Sequence, residues 1–137
     1  MSERTLSSRT TSTRVLIVDD DEHVARVLRR ALSEHHVEVL LDARDALEAI
    51  RGGERFDIIV CDLMMPNMTG ARLYEELVRF DLEQASRMIF VTAGATSEAT
   101  QEFLDGCGQP ILEKPVSPER LRAEVRQLLE ELARILR

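Results

Sequence analysis

The chain has 137 residues, 44% of them hydrophobic and 31% charged, a length and balance that fit one soluble globular domain with its own core. Its 18 Lys+Arg against 25 Asp+Glu leave a net charge of −7. That charge argues against a direct nucleic-acid partner, because backbone affinity comes mainly from basic residues. No apolar run approaches the ~18 residues of a membrane span. The cysteines, Cys61 and Cys107, are too few for a disulfide framework and fit a reducing cytoplasm.

Residues 1–13, MSERTLSSRTTST, carry one leucine among Ser, Thr and Arg. Such a stretch has too little apolar surface to order itself and reads as a disordered leader. The domain is expected over 14–137.

From there strand and helix patterns alternate. Val15–Val18 is a β-branched run that stops at Asp19-Asp20-Asp21. Val24, Val27, Leu28, Ala31 and Leu32 then form the stripe of an amphipathic helix. Val37–Leu41 reads as the second strand, and Ala46, Leu47 and Ile50 as a short helix stopped by Gly52-Gly53. Phe56 and Ile58–Cys61 give a third strand closed by Asp62. A turn with Pro66 and Gly70 leads to a helix carrying Leu73, Leu77 and Val78. Met88–Val91 is the fourth strand; Ala99, Phe103 and Leu104 mark a modest fourth helix ending at Gly106 or Gly108. Ile111-Leu112 is a very short fifth strand. Ser117-Pro118-Glu119 opens the last helix with an N-cap, a proline at the first helical position and an acid in the first turn.

Five strands each followed by a helix imply an α/β domain, a doubly wound (βα)5 parallel sheet with helices on both faces. Ligands of such sheets bind beyond the carboxyl ends of the strands. Those ends hold Asp19 and Asp20, Asp62, Thr92 and Lys114. Three carboxylates in one crevice repel one another, and a divalent cation relieves the repulsion. Hard oxygen ligands with room for water suit Mg²⁺. With a lysine and a hydroxyl opposite, the set suits phosphoryl transfer, in which Asp62 would be the nucleophile.

The stretches VLIVDDDEHV, DIIVCDLMMPNMTG, FVTAGA and LEKP, in that order, resemble the receiver domain of response regulators, the CheY-like family with its flavodoxin-like fold. The likeness runs from about Arg14 to Leu129. It implies that Asp62 accepts a phosphoryl group and that Mg²⁺ is held by Asp19, Asp20, Asp62 and the Met64 carbonyl. Thr92 and Lys114 would grip the phosphoryl oxygens, and the Lys114–Pro115 bond would be cis. It further implies a cytoplasmic two-component regulator, not an enzyme in the ordinary sense, taking phosphate from a histidine kinase or phosphotransfer protein. Its output would be a protein target bound through the fourth helix, fifth strand and fifth helix.

Two positions depart from the family's habit. Ile111 stands where an aromatic often couples to the threonine, and neither Met64 nor Gly94 can orient an attacking water, so slow loss of the phosphoryl group is expected. In the last helix Leu121, Val125, Leu128, Leu132 and Ile135 fit packing on the sheet, or a coiled-coil seam that would make a homodimer. Asp21 is expected to cap the first helix or face solvent, Cys61 to be an inert core thiol, and His35-His36 a solvated loop pair. Three other readings are weighed. A haloacid-dehalogenase-type phosphatase wants a second acid where Met64 stands, and a flavodoxin-like carrier wants a phosphate loop where Asp19–Asp21 would repel phosphate. A receiver-like module that binds proteins without taking phosphate is the main alternative.

Overall fold

The computed structural model describes residues 13–94 and 97–135. The leader expected over 1–13 lies, except for Thr13, outside them. The apolar runs become five parallel strands: β1 (Arg14–Val18), β2 (His36–Leu40), β3 (Ile58–Asp62), β4 (Met88–Thr92) and β5 (Ile111–Glu113), in the order β2-β1-β3-β4-β5. The long helices are α1 (Glu22–Ala31), α2 (Ala43–Arg51), α3 (Gly70–Phe80), α4 (Glu98–Cys107) and α5 (Pro118–Ile135).

Alternation along the strands divides the core into two layers. Leu16, Val18, Ile59, Cys61, Met88 and Phe90 face α2 and α3, with Phe103 and Leu104 of α4 packed at the margin. Val15, Ile17, Ile58, Val60, Ile89, Val91 and Leu112 face α1 and α5. Both faces of the sheet are therefore covered, which is why the central strands read as unbroken apolar runs.

Local chemistry sets the helix starts. Asp21, Asp42, Thr69 and Ser97 each accept a backbone N–H from the first turn of α1, α2, α3 and α4. Ser117 Oγ accepts the Arg120 N–H at 3.2 Å, the cap expected for α5. Gly108, at φ 75°, ends α4 in the left-handed conformation that favours glycine.

Several details differ from the sequence reading. In α1 the buried residues are Ala25 and Leu28, while Val27 is exposed, so the stripe is turned toward Ala25. Val78 of α3 is also exposed. His36 is no loop residue: it opens β2 opposite Arg14, and its N–H donates to Thr13 O at 2.9 Å. A single helical turn at Leu82–Ala85, absent from the periodic pattern, brings Gln84 into the core. There the Phe56 N–H donates to Gln84 Oε1 at 3.1 Å and Gln84 Nε2 donates to Phe56 O at 2.9 Å, so one side-chain amide satisfies both backbone polar groups of buried Phe56. Leu121, Val125, Leu128 and Leu132 are buried against the sheet, and Ile135 alone of that series is exposed. The stripe of the last helix is thus used inside the chain.

Candidate phosphoryl-acceptor site

The strand order reverses between β1 and β3, and the crevice at their carboxyl ends is the topological switch point. Val18 pairs with Cys61, so the next residue on each strand brings Asp19 beside Asp62. Thr92 pairs with Glu113, which sets Lys114 one step beyond, and the Lys114 N–H donates to Thr92 O at 2.8 Å. Register alone therefore carries four of the candidate residues to one edge.

Oxygen atoms of Asp19, Asp20 and Asp62 all lie within 4.8 Å of one another. Asp19 and Asp62 are buried and Asp20 is exposed. Lys114 Nζ stands 3.4 Å from Asp62 Oδ2 and 3.6 Å from Asp19 Oδ2. Asp19 Oδ1 accepts the Asp21 N–H at 2.9 Å, but buried Asp19 Oδ2 has no hydrogen-bond partner. Burial, followed by the neighbouring Asp19 carboxylate, raises the Asp62 pKa above the usual carboxylate value. Burial likewise raises that of Asp19. Each carboxylate is held in part by Lys114, which opposes the rise.

A buried carboxylate oxygen with no hydrogen bond, its nearest cation Lys114 Nζ at 3.6 Å, is rare and has room for a further ligand. Three hard oxygen donors, one of them solvent-facing, fit a cation such as Mg²⁺. Asp19, Asp20 and Asp62 are the side chains that would hold it.

Thr92 is buried at the end of β4, yet its hydroxyl is turned into its own loop. Oγ1 accepts the Gly94 N–H at 3.1 Å and donates to Gly94 O at 3.4 Å. It makes no hydrogen bond to Asp62 or Lys114, so the structure brings the acids and the lysine together and leaves Thr92 at the rim. Met64 is 54% exposed, and its N–H lies 3.4 Å from Asp62 Oδ1. The Lys114–Pro115 bond is cis, and Asp21 caps α1 through His23 and Val24. Cys61 is fully buried, with its thiol pKa pushed up by burial and by Asp62 and Asp19, an inert core group.

Two contributors escaped the sequence reading. A Cβ added to Gly70 would lie 2.4 Å from Asp62 O and 3.1 Å from Cys61 Sγ, so only glycine lets α3 start against the end of β3. A poor helix former immediately after the cap Thr69 was the available signal. The second is a triangle of aromatic rings, Tyr74, Phe90 and Phe103, packed edge to face at 5.4–5.8 Å between centroids. The Tyr74 hydroxyl donates to Cys107 O at 3.0 Å, and half-buried Ile111 packs on the same layer.

Residues 15–126 match the family model described as the response regulator receiver domain. The chain belongs to that family. Among its relatives, the response regulator MprA of Mycolicibacterium vanbaalenii is 36% identical over 118 residues, 85% of this chain and 50% of that protein. The transcriptional regulatory protein TcrA of Mycobacterium tuberculosis is 31% identical over 122 residues, 88% of this chain and 47% of that protein. The receiver thus spans about half the length of these curated relatives.

Similar solved structures include a CheY-like receiver domain protein from Methanospirillum hungatei, with TM-score 0.78 and 27% identity over 90% of this chain and 98% of that one. The chemotaxis protein CheY4 of Vibrio cholerae aligns with TM-score 0.72 and 28% identity, over 85% of this receiver and 98% of its own chain. Two-component signalling is therefore the setting of this receiver, and its fold is the expected CheY-like (βα)5 sheet. Among the described residues, no helix is long and apolar enough to cross a membrane.

Proposed function

We propose that this receiver takes a phosphoryl group onto Asp62 from the phosphohistidine of a sensor kinase or phosphotransfer protein, in the cytoplasm, with Mg²⁺ as cofactor. The observation that carries this reading is the meeting of Asp19, Asp20, Asp62 and Lys114 at the switch point, with Asp19 Oδ2 buried and without a hydrogen bond. An Asp62 carboxylate oxygen forms the new bond to phosphorus as the P–N bond breaks, and the departing imidazole takes a proton from solvent. Asp19, Asp20, Asp62 and the Met64 carbonyl would hold the cation, which would supply positive charge against the acids and the incoming phosphoryl oxygens.

Lys114 stands ready to follow that charge, because its ammonium already neighbours Asp62. Thr92 is poised differently. Its long 3.4 Å bond to Gly94 O is weak, so the hydroxyl can exchange it for a phosphoryl oxygen at little cost. Charge-assisted hydrogen bonds contribute roughly 1.5–3 kcal/mol each. Inverting a 1:99 equilibrium requires about 5.5 kcal/mol, so new bonds from Thr92 and Lys114 supply much of a switch. The output would pass to a protein target through α4, β5 and α5. Catalysis in this reading is confined to the receiver's own phosphorylation and dephosphorylation.

The test is intact-mass analysis after incubation with acetyl phosphate, with and without Mg²⁺, on wild type and Asp62→Asn. One added phosphoryl group that depends on Mg²⁺ and is lost in the variant is expected. Failure with acetyl phosphate, with a kinase and with beryllofluoride would overturn the reading in favour of a phosphate-independent binding module.

A further inference from the structure

The paired arginines of this acidic chain lie mostly on the α2–α3 side. Arg44, Arg51, Arg55, Arg72, Arg79 and Arg87 each stand beside a carboxylate. Among the described residues, Arg26, Arg29 and Arg30 of α1 and Arg122 and Arg126 of α5 form no ion pair within 4.0 Å, although Arg122 is near enough to Glu119 to help lower its pKa. These two helices are neighbours on one face of the sheet, and Arg122 Nη1 donates to Ala31 O at 3.2 Å across their seam.

Two adjoining grooves, of about 480 and 280 Å³, run over this surface and share His35. The first is lined by Arg26, Arg29, Arg30 and both histidines, with no carboxylate. The second is lined by Arg122 and Arg126, by the carboxylates Glu34 and Glu130, and by the apolar side chains of Leu129 and Ala133. Both grooves lie toward the amino-terminal edge of β2, at the end of the sheet remote from the acidic crevice.

Ordinary helix chemistry explains part of this pattern. Arg29 and Arg30 sit in the last turn of α1, where the dipole favours cations. Arg26, four residues after Glu22, has a favourably placed acid on its own helix, so what remains is the spacing. Arg26 with Arg30, and Arg122 with Arg126, are like charges four residues apart, an arrangement that weakens a helix. Two such pairs facing one seam concentrate positive charge on one face of a chain whose net charge is −7.

We propose that the α1–α5 face is a docking surface for an acidic polypeptide segment that also carries apolar side chains. Carboxylates of the partner meet the exposed guanidinium groups of Arg26, Arg29, Arg30 and Arg126 beside half-buried Arg122, and its apolar residues fill the groove over Leu129 and Ala133. A nucleic-acid duplex fits less well, because the net negative charge repels a polyanion and the second groove is largely apolar. The surface lies at the end of the sheet remote from Asp62.

The test uses a fluorescein-labelled synthetic peptide of repeated Glu-Glu-Leu-Ala, a labelled DNA duplex, and the full chain, read by anisotropy at low and physiological salt. The peptide is expected to bind wild type and to lose affinity with salt. Replacing Arg26, Arg29, Arg30, Arg122 and Arg126 with Gln should weaken it about tenfold. Arg72→Gln with Arg79→Gln, on α3, should leave it unchanged. Amide shifts in the wild-type chain should fall on α1, α5 and the start of β2, which checks the site without any variant. Absence of peptide binding, equal weakening by the α3 pair, shifts elsewhere, or preference for the duplex would each overturn the proposal.

Discussion

Lys114 Nζ stands 3.4 Å from Asp62 Oδ2, and the same ammonium is 3.6 Å from Asp19 Oδ2. One cation thus balances two buried acids. Replacing Lys114 with Met leaves those acids uncompensated and should destabilise the fold by about 1–3 kcal/mol at neutral pH. Adding Asp19→Asn should recover part of the loss, because one repelling charge is gone. Urea denaturation of the single and double variants measures the coupling; equal losses with and without Asp19 would reject it.

The acids themselves hold stability in reserve for function. Burial raises the pKa of Asp19 and Asp62, so the folded chain keeps protons that the unfolded chain has already released. Their contribution is fully present below the ordinary carboxylate pKa and is lost as pH rises through the raised value. Asp19→Asn should therefore stabilise the protein near neutrality by on the order of 1 kcal/mol and flatten that decline. Mg²⁺ should raise the melting temperature of wild type by preferential binding to the folded state, and should do so less in the variant. Thermal melts across pH, with Mg²⁺ and with a chelator, read both effects. A lower midpoint for Asp19→Asn would contradict the account.

Gly70 offers a steric test of the same site. Its added Cβ would meet the Asp62 carbonyl at 2.4 Å, and backbone on both sides cannot yield independently. Gly70→Ala should cost about 2–3 kcal/mol, as overpacked cores do, and should displace Asp62 enough to weaken Mg²⁺ binding. Calorimetric titration with Mg²⁺ against Leu77→Ala, a destabilising change at a buried position of the same helix, separates the site effect from general loss of stability.

Exposed Met64 and side-chain-free Gly94 offer no hydrogen bond to a water approaching the proposed phosphoryl group. The phosphorylated form should be long-lived, and Met64→Asn should shorten its lifetime on the order of tenfold by holding that water. Decay followed by mass after removal of the phosphodonor measures it. Rapid loss from wild type would contradict the reading.

The central sheet was legible because a parallel strand buried on both faces must be apolar, and Val15–Val18, Ile58–Cys61 and Met88–Val91 are. The candidate acids and Lys114 were legible because Asp19 and Asp62 directly end such runs, with Asp20 next to Asp19 and Lys114 two residues beyond Ile111-Leu112. Tertiary contacts decided the rest. Nothing in one sequence window distinguishes buried Ala25 from exposed Val27 when both are apolar and two residues apart. Gln84 looks like a surface residue until Phe56, far away in sequence, presents its peptide group. His36 joined β2 because its N–H met Thr13 O, a partner that no periodicity encodes.

The ring triangle at α4 gives the molecule a built-in optical marker. None of the residues of α4 is fully buried, so its attachment depends on Phe103 and on the bond from the Tyr74 hydroxyl to Cys107 O. Tyr74 is the single tyrosine of a chain that has no tryptophan. Its near-ultraviolet dichroism therefore reports on the joint between β4 and α4, with no competing tyrosine or tryptophan chromophore. Any displacement of α4, by phosphorylation or by a partner, becomes visible in unlabelled protein.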